Sequence, residues 1–438
     1  MRKCTIIYSL LFFFITGNAQ NAAETLTARA NAEFTSPKQQ TNSGVIPDKS
    51  ATTSEEEKQK STKNMSILWV PVLASNPASG FMFGVAPAIT FVRGNPETTS
   101  ISNYLGSAVY TTKKQLLLTF KGNLYFEGNE WIIMNDWRYF ITSQPTYGLG
   151  TGPQSDKLVS TGIEYEDGFF SSGIDEAQLM KFNFLRLHQT AFKKIGDNSL
   201  YAGIGYHLDI HNKIEDQLLD TTVVPPSITS HYAYSKLRGI NPEKYTLSSL
   251  SINGMYDTRD NTINPYGGRY ALLTLKFNPE FLGSTVSSSS LWAEYRDYFN
   301  LNADRPRNLL AFWAYGNFQL GGDLPYLDLP ALGWDQFGRS GRAYPQGRFC
   351  GQSLVYSELE WRFPLQREKD KWGGVLFANL SSATNKDADI SMFKYINTGV
   401  GAGLRFLINK EKRQNLCLDY AWGNYGAHGF YLSVNEVF

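Results

Sequence analysis

The segment SLYAGIGYHLDIHNKI, residues 199–214, alternates apolar and polar side chains almost without interruption. One parity carries the apolar side chains Leu200, Ala202, Ile204, Tyr206, Leu208 and Ile210. The other parity includes two glycines and the polar row His207, Asp209 and His211. Successive side chains of a β-strand point to opposite faces of a sheet, so this pattern predicts a strand with one apolar and one polar face.

The same period of two continues from Ser66 nearly to the end of the chain. It predicts about sixteen strands, most of them long enough to cross a bilayer at a tilt. No amphipathic helix of about ten or more residues is predicted between them. The predicted strands are 67–74, 81–93, 101–112, 115–126, 130–141, 179–195, 199–214, 245–258, 268–280, 287–300, 307–320, 353–366, 372–380, 395–407, 414–422 and 430–438.

The predicted connections differ in length in a regular way. Those after even-numbered strands are short, such as EGN at 127–129 and GDN at 196–198. The long connections all follow odd-numbered strands and are 142–178, 215–244, 321–352 and 381–394. Tight turns on one rim and long loops on the other are typical of outer-membrane barrels, in which the turns are periplasmic. An even number of strands then predicts that both termini lie in the periplasm.

The N-terminal region predicts an exported protein. Residues 1–19 combine a basic start, an apolar run and small residues, which is the pattern of a secretory signal peptide and not of a membrane span. Residues 20–65 are polar and charged, and we predict that they form a disordered periplasmic tether. Residues 66–438 are predicted to form the barrel. The formal net charge of +1, with no basic block, argues against a nucleic acid partner.

Alternation alone also fits a soluble β-sandwich, and three further features favour a membrane barrel. The strands are long, the signal peptide directs export, and the chain ends in the alternating segment GFYLSVNEVF. Phe430 and Phe438 share one parity of that segment, as in the C-terminal strand of many outer-membrane barrels. The prediction is an all-β protein, a transmembrane antiparallel β-barrel of about sixteen strands, with lipid outside and water inside.

Metal binding and catalysis are not favoured by the sequence. His207, Asp209 and His211 lie about 7 Å apart along one strand face, which is too wide for one ion without help from other strands. Lumenal polarity is therefore the favoured interpretation of this row. The chain has no recognisable nucleophile elbow or metal-binding motif, so we predict no enzymatic activity and no cofactor. Cys350 and Cys417 are expected to be separate thiols, with a disulfide left open.

The segment YDTRDNTINPYGGRY, residues 256–270, predicts a turn from its Asp, Asn, Pro and Gly residues. The positions that form its motif are Asp257, Arg259, Asp260, Pro265, Gly267 and Gly268. The segment resembles the periplasmic hairpin of the bacterial surface antigen superfamily. That superfamily comprises outer-membrane assembly factors of the Bam and Tam type and two-partner secretion transporters.

The segment GRAYPQGRFCGQSLVYSELEWRFPL, residues 341–365, is similar to the sixth outer loop of that superfamily and to the strand that follows it. The tip of the loop is Arg-Gly-Tyr or Arg-Gly-Phe in the family, and Arg342, Ala343 and Tyr344 occupy it here. The resemblance implies that the loop folds back into the lumen, where its Arg meets acidic wall residues. The lumenal parity of the following strand carries Glu358, Glu360 and Arg362.

The segment GVGAGLRFLINKEKRQNLCLDYAWG, residues 399–423, is similar to the penultimate strands of the superfamily. This similarity implies that Arg405 and Asp419 face the lumen. The chain departs from the family pattern at Ala343, which replaces a Gly, and at Asn379, where many relatives have Asp. Residues 20–65 are too few for a POTRA domain, the periplasmic module of the larger members, so the resemblance is to a barrel without one.

The resemblance covers most of residues 66–438 and implies a Gram-negative outer-membrane protein. It implies that the barrel assists insertion or translocation of protein, or of lipid, at the seam between strands 67–74 and 430–438. Pro71 in the first of these strands cannot donate a ladder hydrogen bond. The expected partners are outer-membrane lipid and, through residues 20–65, unfolded outer-membrane proteins or periplasmic factors. The alternative is a passive or gated pore for small solutes, with the loop 321–352 folded into the lumen.

Overall fold

One antiparallel sheet of sixteen strands dominates the structure, a computed structural model, with the strands arranged in the order of the chain. The described residues are 65–76, 80–95, 98–99, 102–152, 164–166, 169–170, 177–196, 198–261, 264–335, 338–366, 371–410, 413–434 and 436–438. The predicted signal peptide and tether, residues 1–19 and 20–65, lie outside them except for Met65. Every neighbouring pair of strands in the sheet follows the chain, so the sheet is a meander without crossovers.

The strands of the sheet are β1 (Met65–Asn76), β2 (Gly80–Phe91), β3 (Ser102–Thr111), β4 (Leu116–Tyr125), β5 (Trp131–Thr146), β8 (Gln178–Lys194), β9 (Leu200–Asp216), β10 (Tyr245–Asp257), β11 (Gly268–Asn278), β12 (Ser288–Asn300), β13 (Leu309–Gly322), β14 (Ser353–Pro364), β15 (Trp372–Ala383), β16 (Asn397–Asn409), β17 (Gln414–Gly423) and β18 (His428–Val434). A separate small sheet pairs β6 (Glu164–Glu166) with β7 (Phe169–Phe170). The strand number and order agree with the alternation in the sequence.

The two faces of the sheet have opposite chemistry. Ile204 is 72% exposed and Ile252 is 64% exposed, whereas Asp209 is fully buried on the other face. Apolar side chains on an outer surface of this kind are stabilised by acyl chains, at about 1.5–3 kcal/mol for each large side chain removed from water. The chain is therefore a transmembrane antiparallel β-barrel whose core lies inside the wall, and the predicted fold class is confirmed.

The connections also follow the predicted pattern. The longest ones come after β5, β9, β13 and β15, which are the fifth, seventh, eleventh and thirteenth strands of the sheet. The connections on the opposite rim are shorter, such as the 3-10 turn at Glu127–Asn129 between β4 and β5. The structure therefore separates a rim of long loops from a rim of turns.

A short helix that the alternation did not predict lies in the connection between β9 and β10. Helix α1 (Ser230–Leu237) begins after Thr229, whose side chain accepts a hydrogen bond from the backbone N–H of Tyr232. The Tyr234 hydroxyl donates to the carbonyl of Leu324, 3.0 Å away, so α1 contacts the loop after β13. No helix in the described ranges is long and apolar enough to cross a membrane.

The C-terminal strand is shorter than predicted, and this corrects the prediction of a strand closing on Phe438. β18 ends at Val434, and Phe430 is 62% exposed on the outer face. Phe438 instead is 4% exposed, and its ring lies 5.3 Å from that of the lumenal Trp313. The last residues turn inward because Glu436 binds Arg405 and the ring of Phe438 packs against Trp313, and neither partner is available on the lipid-facing side of a strand.

Candidate functional site

The described residues of the connection between β13 and β14, 323–335 and 338–352, lie in the lumen and are called the inner loop below. Its two arms are joined by backbone hydrogen bonds from Leu332 to Phe349 and from Gly347 to Leu332, each 2.8 Å long. Leu332 and Phe349 are buried in the same apolar cluster as Trp313 of the barrel wall. The inner loop is thus a folded element that packs against the wall and brings its tip to a fixed place.

Arg342 at the tip of the inner loop joins three carboxylates of the wall. Its guanidinium donates to Glu358 at 2.5 Å, to Asp419 at 2.8 Å, and to Glu360. The guanidinium carbon also lies 3.5 Å from the centre of the Phe377 ring. Burial lowers the pKa of Arg342, but the three carboxylates raise it well above the ordinary value of arginine, so the side chain stays charged. A planar fork of donors suits such multiple carboxylate contacts, and lysine does not offer it.

Two further arginines extend this arrangement toward the C-terminal residues. Arg362 donates to Glu360 at 2.6 Å, and Arg405 donates to Asp419. Arg405 also donates to Glu436 at 2.7 Å. The lumenal ion-pair network, as we name it, consists of Arg342, Glu358, Glu360, Arg362, Arg405, Asp419 and Glu436. It includes Arg342 and all five wall residues that the sequence predicted as its lumenal partners, and it adds Glu436, which alternation had assigned to a strand.

Asn379, the departure from the family's Asp, has a distinct role in this network. Its amide nitrogen donates to the backbone carbonyl of Arg342 at 3.0 Å and lies 3.4 Å from Glu358. A carboxylate at this position could not donate to either oxygen, and it would add a further negative charge beside Glu358. Asn379 therefore holds the main chain of the tip while Arg342 holds its side chain.

The glycines of GVGAGL explain why the tip can approach the wall. On β16, Gly399 faces Asn379 across the strand pair, and a β-carbon at Gly399 would lie 2.8 Å from the carbonyl oxygen of Arg342. A β-carbon at Gly401 would collide with the ring of Phe377, and one at Gly403 with the carboxylate of Asp419. The bare strand face makes room for the tip of the loop and its partners.

Tyr344 fastens the tip to the same wall near the rim of long loops. Its hydroxyl donates to the carbonyl of Thr398 at 2.5 Å and accepts from the backbone N–H of Asn424 at 2.8 Å. Its ring lies 4.9 Å from that of Phe349. The tip is therefore anchored both to the ion-pair network and, through Tyr344, to the start of β16 and to the turn between β17 and β18.

Ala343 adopts a backbone conformation that glycine would adopt more easily. Its φ is +97°, in the left-handed half of conformational space, and its N–H donates to the hydroxyl of Tyr431 at 2.8 Å. A side chain at such a φ costs about 1–3 kcal/mol. The family motif has Gly at this position, so the replacement of Gly by Ala343 introduces backbone strain.

We expect Ala343→Gly to stabilise the folded barrel by about 1 kcal/mol, because the relief of strain exceeds the extra entropy of glycine in the unfolded chain. The measurement is the unfolding midpoint of the detergent-solubilised protein. The control is Ala331→Gly in the same loop, a buried alanine whose φ is not positive, where we expect a loss of stability. Equal destabilisation by both changes would contradict the strain at Ala343.

The predicted turn motif lies apart from the lumenal ion-pair network, between β10 and β11. Arg259 binds Asp257 through two hydrogen bonds of 2.9 and 2.7 Å, and Asp260 accepts from the N–H of Tyr266 at 3.0 Å. Arg413, in the turn between β16 and β17, reaches Asp260 at 2.5 Å.

Of the other motif residues, Gly268 has a φ of +95°, which a turn here requires, while Pro265 and Gly267 lie within the turn. The motif therefore orders the rim of turns and does not contact Arg342.

The His207, Asp209 and His211 row faces the lumen, where it binds neighbours that the sequence did not indicate. Asp209 accepts from Arg186 and is bonded to His188, both at 2.7 Å, and His207 is bonded to Ser251 at 2.7 Å. The strand pairing that sets Arg186 opposite Asp209 could not be derived from one strand alone. Within the ranges that the structure describes, no group of three His, Cys, Asp or Glu has a geometry that could hold a metal ion.

Cys350 and Cys417 are both buried, and they do not form a disulfide with each other. Cys350 lies in the inner loop, where burial raises the pKa of its thiol to about 12. A thiol with such a pKa is almost entirely protonated and therefore a poor nucleophile. Cys350 packs as a small apolar side chain in the core of the barrel.

These features define a transmembrane β-barrel with a folded loop held in its lumen by buried ion pairs. The family description "Omp85 superfamily domain" matches residues 196–438, which is more than half of the chain, and the chain belongs to the Omp85 superfamily. The resemblance to the Bam and Tam type of barrel is confirmed, and the protein is an outer-membrane barrel. A search of curated protein sequences found no match.

Solved structures with a similar fold include BamA and two CdiB proteins. BamA from Haemophilus ducreyi lacking POTRA domains 1–3 has a TM-score of 0.51 and 14% identity, over 85% of this chain and 69% of that one. CdiB from Acinetobacter baumannii has a TM-score of 0.49 and 12% identity, over 85% of this chain and 60% of that one. CdiB from Escherichia coli has a TM-score of 0.46 and 11% identity, over 85% of this chain and 62% of that one. At these identities the likeness to BamA concerns the fold alone.

Proposed function

We propose that this barrel assists the insertion or translocation of a polypeptide, or of lipid, at the outer membrane, and that the seam between β1 and β18 is the place where it acts. Membership of the Omp85 superfamily supports the general kind of role and of partner. We further propose that both termini lie in the periplasm, and that residues 20–65 bind unfolded outer-membrane proteins or a periplasmic factor. The proposal assigns the chain no enzymatic reaction.

The unequal edges of the sheet are the observation that carries this proposal. β1 has twelve residues and β18 has seven, and among the described residues β1 pairs with β2 alone and β18 with β17 alone. β18 pairs with β17 from Leu416 to Trp422, which leaves Gln414 and Asn415 of β17 beyond its end. Unpaired backbone N–H and C=O groups at an edge are a template for an added strand.

Residues near the seam favour a weak closure. Pro71 lies in the middle of β1, opposite Val85 of β2, and it has no N–H to offer to a strand on its other side. After Val434 the chain leaves the wall, and Glu436 is buried against Arg405 inside the barrel. A substrate strand would therefore meet edges whose own pairing is incomplete. The alternative is a passive or gated pore for small solutes, with the inner loop folded into the lumen.

A covalent lock across the seam is expected to abolish the activity. We would replace Cys350 and Cys417 with Ala, and then place one cysteine within 67–71 of β1 and one within 430–433 of β18, keeping the pair that crosslinks completely. The measurement is the restoration of the outer-membrane protein profile in cells that lack this chain. The oxidised seam variant should fail to restore the profile, and the reduced variant should restore it.

The matched control is a crosslink inside the wall. Phe312 and Leu359 lie directly opposite each other on β13 and β14, so Phe312→Cys with Leu359→Cys adds a disulfide without closing the seam. This control should restore the profile in both redox states. Full restoration by the oxidised seam variant would refute the proposed action at the seam.

A further inference from the structure

The lumen contains a cavity of about 360 Å³, and none of the residues that line it belongs to the lumenal ion-pair network. It lies between the loop residues Leu327 and Asp328 and the wall formed by β5 and β8 to β13. Its volume is within the usual range for sites that bind small molecules, about 300–1,000 Å³. Nothing in the role proposed for the seam requires a cavity here.

The carboxylates around this cavity already have partners. The pairs are Asp136 with Arg138, Asp209 with Arg186 and His188, Glu294 with Arg296, Asp328 with Tyr245, and Asp335 with Ser340. Lys276 also lines the cavity, from β11, and it forms no ion pair with any residue that the structure describes. The cavity therefore has one ammonium group available for an anion.

A second group near Lys276 also lacks a partner. His207 is 8% exposed and lines the same cavity; one ring nitrogen is bonded to Ser251, and the other, Nδ1, has no hydrogen-bond partner. Ser251 is the residue directly opposite Lys276 across β10 and β11. A buried nitrogen of this kind is expected to be satisfied by water or by a ligand atom.

An aromatic surface lies next to this polar group. Thr274, two residues before Lys276 on β11, is opposite Trp292 of β12, and Trp292 lines the cavity with its ring stacked 4.6 Å from that of Tyr315. Two residues along a strand span about 7 Å, which is close to the length of a benzene ring with one carboxylate. Lys276 and Trp292 thus line the same cavity from neighbouring strands, two positions apart along the sheet.

We propose that this cavity binds a small aromatic monocarboxylate, with the carboxylate at Lys276 and the ring against Trp292. One unpaired ammonium group matches a single negative charge better than the double charge of a phosphate monoester. The site is distinct from the seam and from the contacts of Arg342.

The test uses the full barrel in detergent micelles and measures binding of benzoate by saturation-transfer NMR. Benzamide, which has the same shape and no charge, is the matched ligand and reports partition into micelles. We expect saturable binding of benzoate and at least about tenfold weaker binding of benzamide, because hydrogen bonds to charged groups contribute more than neutral ones.

Two variants decide the role of the ammonium group. Lys276→Gln should weaken benzoate binding about tenfold, and Lys371→Gln, at an exposed lysine of the turn before β15, should leave it unchanged. Both must keep the heat-dependent gel mobility of the folded barrel. Equal binding of benzoate and benzamide, equal affinity of Lys276→Gln and the unaltered protein, or no saturable benzoate binding would each overturn the proposal.

Discussion

Arg342→Ala is expected to destabilise the barrel by about 3–5 kcal/mol and to release the tip of the inner loop. The reason is that Glu358, Glu360 and Asp419 are each buried and would lose a common cationic partner. The guanidinium also lies over Phe377, so the substitution removes packing as well as charge. The measurement combines the unfolding midpoint with the rate at which added protease cleaves the inner loop.

Two further variants separate charge from geometry. Arg342→Lys keeps the positive charge but cannot reach three carboxylates with a planar fork, so it should retain only part of the stability. Arg305→Gln removes an arginine from the exposed turn between β12 and β13 and should have little effect. If Arg342→Ala unfolded at the same midpoint as Arg305→Gln, the loop would not depend on these contacts.

Glu436→Ala is expected to be the second large effect, with a loss of about 3–5 kcal/mol. Arg405 and Asn415 bind the two oxygens of this carboxylate at 2.7 and 2.6 Å, and Arg362 lies 3.9 Å away. Without Glu436, the buried guanidinium of Arg405 would have Asp419 as its remaining carboxylate partner, and its positive charge would be only partly balanced. The C-terminal residues should then detach from the lumen, which a fluorophore at Phe438→Cys, in a chain without the native cysteines, would report as a rise in mobility.

The control for this change is Glu215→Gln, at an exposed glutamate near the outer end of β9. It removes the same charge and leaves the lumenal ion-pair network intact. We expect its unfolding midpoint to match that of the unaltered protein. A midpoint for Glu436→Ala equal to that of Glu215→Gln would show that the inward course of the last residues contributes little to stability.

The alternation of side chains predicted most of the fold because it reports which face of each strand meets lipid. Ile204 and His207 are an example, since their opposite parity corresponds to opposite faces of the wall. The regular difference between short turns and long loops indicated an outer-membrane barrel, because such barrels have tight turns on one rim and long loops on the other. Periodicity placed Glu358 and Glu360 on the lumenal face, and the family motif linked Arg342 to them.

Other features depend on contacts between distant parts of the chain. The bond from Asn379 to the carbonyl of Arg342 spans 37 residues, and no local pattern indicates it. The alternation of GFYLSVNEVF continued to Phe438, yet the partners of Glu436 outweigh the strand geometry after Val434. Whether Lys276 has an ion-pair partner could not be predicted from its own strand either, because it depends on the side chains that neighbouring strands bring near it.

The central claim is that each strand places its apolar parity in lipid and its polar parity in the lumen. Leu273, 52% exposed, and Thr274, which lines the cavity, are adjacent on β11 and test it directly. Bimane attached to Leu273→Cys or to Thr274→Cys, in a chain without the native cysteines and in bilayers, would be exposed to brominated acyl chains or to aqueous iodide. We predict quenching by brominated lipid at 273 and by iodide at 274. Equal quenching at both positions, or the reverse, would contradict the claim.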